Sequence, residues 1–415
     1  MDPQTDIHNY DRKYEKAKEN LNNSKISFHN KELILKFDNL CLIEGISKPR
    51  RIRLIGSLRL IAEKMNKDFD KATKEDLKKI VAEIEERKDY SPWTKHSYKI
   101  ILKKFYKWLK FGDNYKEHTE YPEIVRWIKS SIKKKEQPKV QASDILTEDE
   151  VKKLIDVAEH PRDKAFISLL YELGARISEI GNLKIKDISK DKYSFIVDIV
   201  GKTGHRTPRV VFSSPHLTAW LNIHPLRNNP NSPLWVLHGT TKEKMDYSAY
   251  RALVKRLAKK AKIKKRIYPH LFRHTRVTHL LANKMINEAQ AKVYFGWIPS
   301  SKMLSEYSHL ISADVNETIL KIHGIKNIEE KDTKLKVKQC PRCQAINESE
   351  NLFCGKCSSI LDIKTAIEMD EKRKASDDIL TKVLSILAQD EKIREIIRRK
   401  IRKESFIRKI EENFS

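Results

Sequence analysis

The sequence predicts a mainly α, α+β protein: helices along most of the chain, one small antiparallel sheet, and a short cysteine-paired segment near the end. Three observations carry this. Apolar residues recur at three- and four-residue spacing over much of 30–134 and 147–323. The stretch "KYSFIVDIVGKTGHRTPRVVF" breaks that period, with β-branched and aromatic residues on both sides of a glycine turn. Finally, Cys340, Cys343, Cys354 and Cys357 form two Cys-x-x-Cys pairs.

The charge points to a partner. Lys plus Arg number 84 against 57 Asp plus Glu, a formal net charge of +27. That excess predicts a polyanion, with double-stranded nucleic acid ahead of an anionic membrane surface. The first residues, "MDPQTDIHNYDRK", lack an apolar signal core, and no apolar run is long enough to span a bilayer. A cytoplasmic, nucleoid-associated protein with no membrane partner is therefore expected. Cys41 stands apart on an apolar face and reads as a small buried hydrophobe.

Along the chain, residues 1–28 read as a polar lead. Residues 29–134 read as a helical unit, to which the family resemblance set out below gives the part of a SAM-like, DNA-binding domain. Leu33, Phe37, Leu40 and Cys41 share one helical face, as do Ile55, Leu58, Ile61, Ala62 and Met65. Thr73 is placed to cap a third helix carrying Leu77, Ile80, Val81 and Ile84. A fourth helix has the apolar stripe Tyr98, Ile101, Leu102, Phe105, Trp108 and Leu109. Its other positions carry Lys95, Lys99, Lys103, Lys104, Lys107 and Lys110, a solvated face or, favoured by the net charge, one that tracks phosphates. Residues 135–146 read as a linker. Thr147 with Glu150 forms a capping box that opens the next domain, 147–325. Residues 326–338 read as a loose tether, 339–362 as the cysteine segment and 363–415 as basic amphipathic helices.

Within 147–325 several side chains suit one task. His270, Arg273 and His274, in "PHLFRHTRVTHLL", stand at i, i+3 and i+4 and share a helix face, as if to meet an anion. Arg176 lies in "GARISEI", and Lys202 sits at the hairpin tip in "VGKTGHR". Trp297 follows Gly296, and Tyr307 sits in "SEYSHL". Two arginines form forks around a phosphate, a lysine protonates a leaving oxygen, a histidine serves as base, and a tyrosine is a competent nucleophile.

These boxes, in this order, resemble the tyrosine recombinase (phage integrase) family. "GARISEI" is similar to its first arginine box, "GKTGHRTPRVV" to its lysine hairpin, "PHLFRHTRVTHLL" to its His-x-x-Arg box, and "YFGWIPSSKMLSEYSHL" to its closing segment. The resemblance implies a site-specific recombinase without ATP, nucleotide or catalytic metal. It implies that Arg176 and Arg273 hold the scissile phosphate and Tyr307 attacks it, forming a 3′-phosphotyrosyl link. Lys202 would protonate the 5′-oxygen, and His270 would manage the tyrosine proton. Four protomers would assemble on DNA, the segment with Ser312, Val315, Ile319 and Ile322 docking on a neighbour. Many family members have histidine where Trp297 stands. An indole N–H donates but does not shuttle a proton, so Trp297 is expected to orient or pack.

Other readings are weaker. A nucleotide-binding loop around "GKTG" needs glycine where Ile196 stands. A zinc protease motif needs Glu after His270, where Leu271 stands. Tyr294 is expected in the core, and Glu179 and His274 as buttresses. Two functional rivals remain: an inactive recombinase-like DNA-binding regulator, and a type IB topoisomerase-like relaxing enzyme. The four cysteines predict one structural, closed zinc site resembling a zinc ribbon. The following stripe of Ile379, Leu380, Val383, Leu384 and Leu387 predicts an amphipathic helix for self-association or DNA contact.

Overall fold

The computed structural model describes residues 6–132, 141–191, 193–201, 204–239, 241–282, 285–301 and 335–401. Lys202, Tyr307 and the segment with Ser312, Val315, Ile319 and Ile322 lie outside the described residues.

The N-terminal unit is helical: α1 (Tyr10–Asn22), α2 (Phe28–Ile43), α3 (Lys48–Met65), α4 (Lys74–Glu86), α5 (Pro92–Phe111) and the short α6 (Glu123–Arg126). Its core centres on Phe37, Ile55, Leu58, Phe69, Leu102 and Phe105, all fully buried. Thr73 and Asp76 cap α4 reciprocally. The loose lead needs correcting. Residues 10–22 form α1, and its Leu21 is fully buried. Tyr14 of α1 donates to Asp38 of α2, and Arg51 of α3 donates to Asp38 at 2.8 and 2.6 Å. A buried acid, base and phenol thus satisfy one another and tie three helices together.

The α5 lysines have partners that the sequence did not indicate. Lys99 pairs with Glu85 at 2.6 Å, Lys103 donates to the Ile128 carbonyl and Lys104 pairs with Glu44 at 3.4 Å. Lys95 and Lys107 reach the Glu85 and His118 carbonyls. Five of the six lysines on that face therefore have acceptors inside their own unit, because α5 packs beside the polar ends of its neighbours.

The second body runs α7 (Glu148–Asp156), α8 (Pro161–Leu173), α9 (Ile177–Gly181), β1 (Ile188–Lys190), β2 (Phe195–Val197), β3 (Ile199–Gly201), β4 (Gly204–Arg206), β5 (Arg209–Val210), α10 (Ser214–Ile223), α11 (Tyr247–Lys260), α12 (Pro269–Ala282) and α13 (Glu288–Phe295). The capping box of Thr147 and Glu150 opens α7. Strands β1, β2 and β5 form an antiparallel sheet, with Phe195 opposite Val210. Strands β3 and β4 form a separate hairpin that pairs Gly201 with Gly204.

Helix α8 is the axis: every residue from Ala165 to Leu173 is buried. Its Glu172 accepts from the backbone N–H groups of Val211, Phe212 and Ser213 and from the Ser213 hydroxyl, at 2.7–2.9 Å. One carboxylate so closes the turn between β5 and α10 and locks it to the axis. Ile7 also enters this core at 2% exposure, and its carbonyl accepts from Tyr247 N–H at 2.8 Å. The expected linker ends early, since Leu146 is fully buried and its N–H bonds the Thr275 hydroxyl at 3.2 Å.

Beyond it, β6 (Val337–Gln339) pairs with β7 (Ile346–Glu348), and two helices follow, α14 (Ile363–Gln389) and α15 (Glu391–Ile401). The tether is not loose at its end. Leu335 packs on the second core, Glu348 lies 3.6 Å from His216 of α10, and Glu350 pairs with Lys152 of α7. The stripe Ile379, Leu380, Val383, Leu384 and Leu387 is exposed on α14.

Candidate active site

Arg273 is the best-held cation of the site. It stands on the second turn of α12 and is 2% exposed. Its Nη1 donates to the Gly174 carbonyl at 3.0 Å and its Nη2 to the Phe295 carbonyl at 2.9 Å. Those carbonyls sit at the C-termini of α8 and α13, where helix ends leave acceptors unsatisfied and the macrodipole is negative. Both helices stop on left-handed glycines, Gly174 at φ +50 and Gly296 at φ +61. The glycine at 174 is also a matter of space, since an added Cβ would stand 2.8 Å from the Phe295 ring and 3.0 Å from Arg276 Cβ. Neighbouring cations are held similarly. Arg276 donates to the Glu172 carbonyl at 3.0 Å, and the Tyr294 hydroxyl shares that acceptor at 2.9 Å. Tyr294 is accordingly a core residue, as expected.

Arg176 follows two residues after Gly174, so the carbonyl that grips Arg273 belongs to the turn that presents Arg176. It is the residue before α9, and its backbone N–H donates to Glu179 at 3.0 Å. Its Nη1 donates to Glu179 Oε1 at 2.8 Å, while the side chain stays about one-third accessible (32%). The other oxygen, Oε2, accepts from Arg206 Nη2 at 2.7 Å. Glu179 is therefore a buried carboxylate between two guanidinium groups. Burial pushes its pKa up, but hydrogen bonds and charge from Arg206 and Arg176 outweigh this and leave it lowered.

His270 opens α12 and keeps an exposed surface beside His274, whose ring centroid is 4.6 Å away. Loss of hydration in the crowded site, then the charges of His274, Arg273 and Arg176, push its pKa down to about 4. Its imidazole is thus neutral near pH 7 and able to accept a proton. The Arg273–Gly174 bond sets α12 beside the turn that presents Arg176, so both arginines and His270 border one region. Trp297 is buried at 7% exposure, with its ring 5.6 Å from the Arg273 guanidinium. It packs on that cation's face, alongside Phe295 at 5.3 Å between centroids. Lys202 lies outside the described residues, but β3 and β4 end on Gly201 and Gly204, directly on either side of the 202–203 tip. Tyr307 likewise lies outside them. Sequence reasoning missed Arg206; only its place in "GKTGHRTPR", four residues after the lysine, hinted at it.

The four cysteines come together at a second place. Their sulfurs lie within 4.8 Å of one another, with Cys340–Cys357 and Cys343–Cys354 at 3.6 Å. A tetrahedral tetrathiolate zinc has sulfurs about 3.8 Å apart, from a metal–sulfur bond of about 2.3 Å. The donor set fits such an ion. Asn347 braces it, donating to Cys354 Sγ at 3.6 Å and accepting from Gly355 N–H at 2.9 Å.

Comparison with known proteins gives a consistent result. The Phage integrase family profile matches residues 144–313. Tyrosine recombinase XerA of Pyrococcus horikoshii is 29% identical over 259 residues, 61% of this chain and 80% of that protein. XerA of Pyrococcus furiosus is 37% identical over 139 residues, 33% of this chain and 47% of that protein. The crystal structure of the XerH site-specific recombinase bound to palindromic difH substrate, a post-cleavage complex, superposes with a TM-score of 0.51 at 17% identity. That match covers 78% of this chain and 98% of XerH, and shows a shared fold.

Proposed function

Because this chain belongs to the tyrosine recombinase family of site-specific recombination enzymes, we propose that it cleaves and rejoins double-stranded DNA through a 3′-phosphotyrosyl link and a Holliday junction. The observation that carries this reading is the Arg273–Gly174 bond at 3.0 Å, which ties one guanidinium to the turn bearing Arg176. Two cations far apart in sequence then face one phosphate. Their N–H donors stabilise the charge that builds on its non-bridging oxygens as phosphorus becomes five-coordinate.

In this reading Tyr307 Oη attacks phosphorus and His270 accepts or relays its proton. The bond to the 5′-oxygen breaks, and Lys202 returns a proton to that oxygen. The reverse steps, with a 5′-hydroxyl from another duplex, reseal the strand. The backbone's bond energy is kept in the phosphotyrosine, so the scheme uses no nucleotide and no catalytic metal. Neutral His270 supports the assignment. The same residue gains affinity for a proton once a phosphate anion offsets the arginines. Trp297 packs against the Arg273 fork beside Phe295 instead of moving protons.

Exchange between two duplexes requires four protomers on DNA, and the net charge of +27 supports a salt-dependent grip on the backbone. The four cysteines hold one structural zinc ion, which braces the chain's C-terminal ribbon. A cytoplasmic, nucleoid-associated location follows from the substrate. The test is a nicked suicide substrate. Wild-type protein is expected to accumulate a covalent protein–DNA adduct, and Tyr307→Phe to bind the same DNA and form none. Adduct formation by Tyr307→Phe, or none by the wild type, would overturn the reading.

A further inference from the structure

Arg206 has no part in the scheme above, yet its environment is unusual. Its side chain is 9% exposed, on the inner side of the β3–β4 hairpin. Nη2 donates to Glu179 Oε2 at 2.7 Å, while Nε and Nη1 are buried with no hydrogen-bond partner among the described residues. Gly201, at the end of the paired strand β3, cannot carry a side chain without displacement, because an added Cβ would stand 2.6 Å from Glu179 Oε1. The hairpin therefore lies close over the Glu179 carboxylate, with Arg206 delivered to it from β4.

The charge count explains why such a residue is needed. Arg176 alone with Glu179 is a neutral pair, and a neutral pair attracts a phosphate weakly. A second cation on the other carboxylate oxygen makes the trio Arg176–Glu179–Arg206 net positive. Among the described residues Arg206 bonds no other acceptor, so its charge is directed at Glu179. Arg176 then keeps both its orientation, through Nη1, and its attraction for an anion, through the accessible remainder of the guanidinium.

We propose that Arg206 is a positioning residue for strand cleavage: it holds Glu179 as a carboxylate and offsets that charge, so that Arg176 stays oriented and electropositive toward the scissile phosphate. This rests on the recombinase reading. It predicts a rate effect without a matching loss of DNA affinity, because Arg206 itself is covered and meets no DNA. It also predicts a new pH dependence. Among the described residues, the charged groups bonded to Glu179 are Arg176 from its own turn and Arg206 from β4. Without Arg206, burial dominates and the Glu179 pKa rises. A carboxyl protonated as pH falls through that raised value no longer orients Arg176, so cleavage is lost on the acid side.

The experiment is single-turnover cleavage of the nicked substrate at saturating full-length protein, comparing wild type, Arg206→Gln, Arg206→Lys, Glu179→Gln and the Arg206→Gln/Glu179→Gln double variant. Arg206→Gln should cleave on the order of 10²-fold slower, the loss typical of an oriented charge donor, with DNA affinity within about threefold, since phosphate contacts supply affinity. Arg206→Lys should recover most of the rate. The Arg206→Gln profile should gain an acid limb absent from the wild type. In Glu179→Gln, adding Arg206→Gln should slow cleavage little further, as expected for residues acting as one unit. Wild-type cleavage rates in Arg206→Gln overturn the proposal while leaving the recombinase reading intact. So does equal slowing in both Glu179 backgrounds, or slowing with an unchanged pH profile. If wild-type protein forms no adduct at all, the recombinase reading fails and this inference falls with it.

Discussion

Gly174→Ala isolates the geometry on which the site depends. In the native backbone this residue sits at φ +50, where an L side chain costs about 1–2 kcal/mol. The new Cβ would also stand 2.8 Å from Phe295 Cε1 and 3.0 Å from Arg276 Cβ. Neither neighbour yields easily: Phe295 is fully buried, and Arg276 is held by the Glu172 carbonyl. Overpacking of this kind costs about 1–3 kcal/mol. The total is about 2–5 kcal/mol, or a fall of about 5–15 °C in the unfolding midpoint of a body this size. Gly204→Ala is the control without overpacking, with φ +118 but no atom of the described residues within 4 Å of an added Cβ. Its cost should come from the backbone alone. The assay is thermal unfolding of both variants, followed by single-turnover cleavage below their midpoints. Cleavage by Gly174→Ala should fall further than by Gly204→Ala, because displacing the 174 carbonyl loosens Arg273. A Gly174→Ala midpoint within about 1 °C of wild type, with cleavage intact, would refute the reasoning.

Two other consequences are directly measurable. His216 is 4% exposed on α10, and burial, then Lys164, push its pKa down to about 4, although Glu348 lies 3.6 Å away with its carboxylate in water. Its folded pKa lies below the unfolded value of 6.5, so the unfolded chain binds the extra proton and stability falls as pH drops from above 6.5 toward 4. Between pH 7 and pH 5 this residue should account for about 2 kcal/mol of lost stability, and His216→Met should remove that share from a denaturation series at the two pH values. For the ribbon, metal analysis should find one zinc per chain, and Cys354→Ser should abolish it. The same substitution should free β7 from α10, seen as rapid amide exchange over 337–348 with the core of α8 still protected; unchanged protection across β7 would count against a structural role for the ion.

Much of this architecture was legible in the residues themselves. Thr147 with Glu150, and Thr73 ahead of Leu77, announce helix starts because capping is local chemistry within one turn. His270 and Arg273 share a face because helical spacing places them there. The cysteine pairs predict their own cluster for a related reason: each pair forms a turn of a few residues. Local periodicity was less reliable for the lead, where α1 has polar spacing along most of its length and is recruited by Tyr14 reaching Asp38. It also gave no sign of the acceptors that the α5 lysines find on other elements.

By itself, then, the sequence determined the element types, the order of the boxes and the kind of chemistry each side chain brings, since these follow from spacing and side-chain identity over a few residues. Only the tertiary structure decided that Gly174 and Phe295 hold Arg273, that Arg206 shares Glu179 with Arg176, and that the ribbon rests on α10. Those contacts join groups separated by 22 to 132 positions. Their distances are set by how whole helices pack, and no short-range pattern along the chain records that.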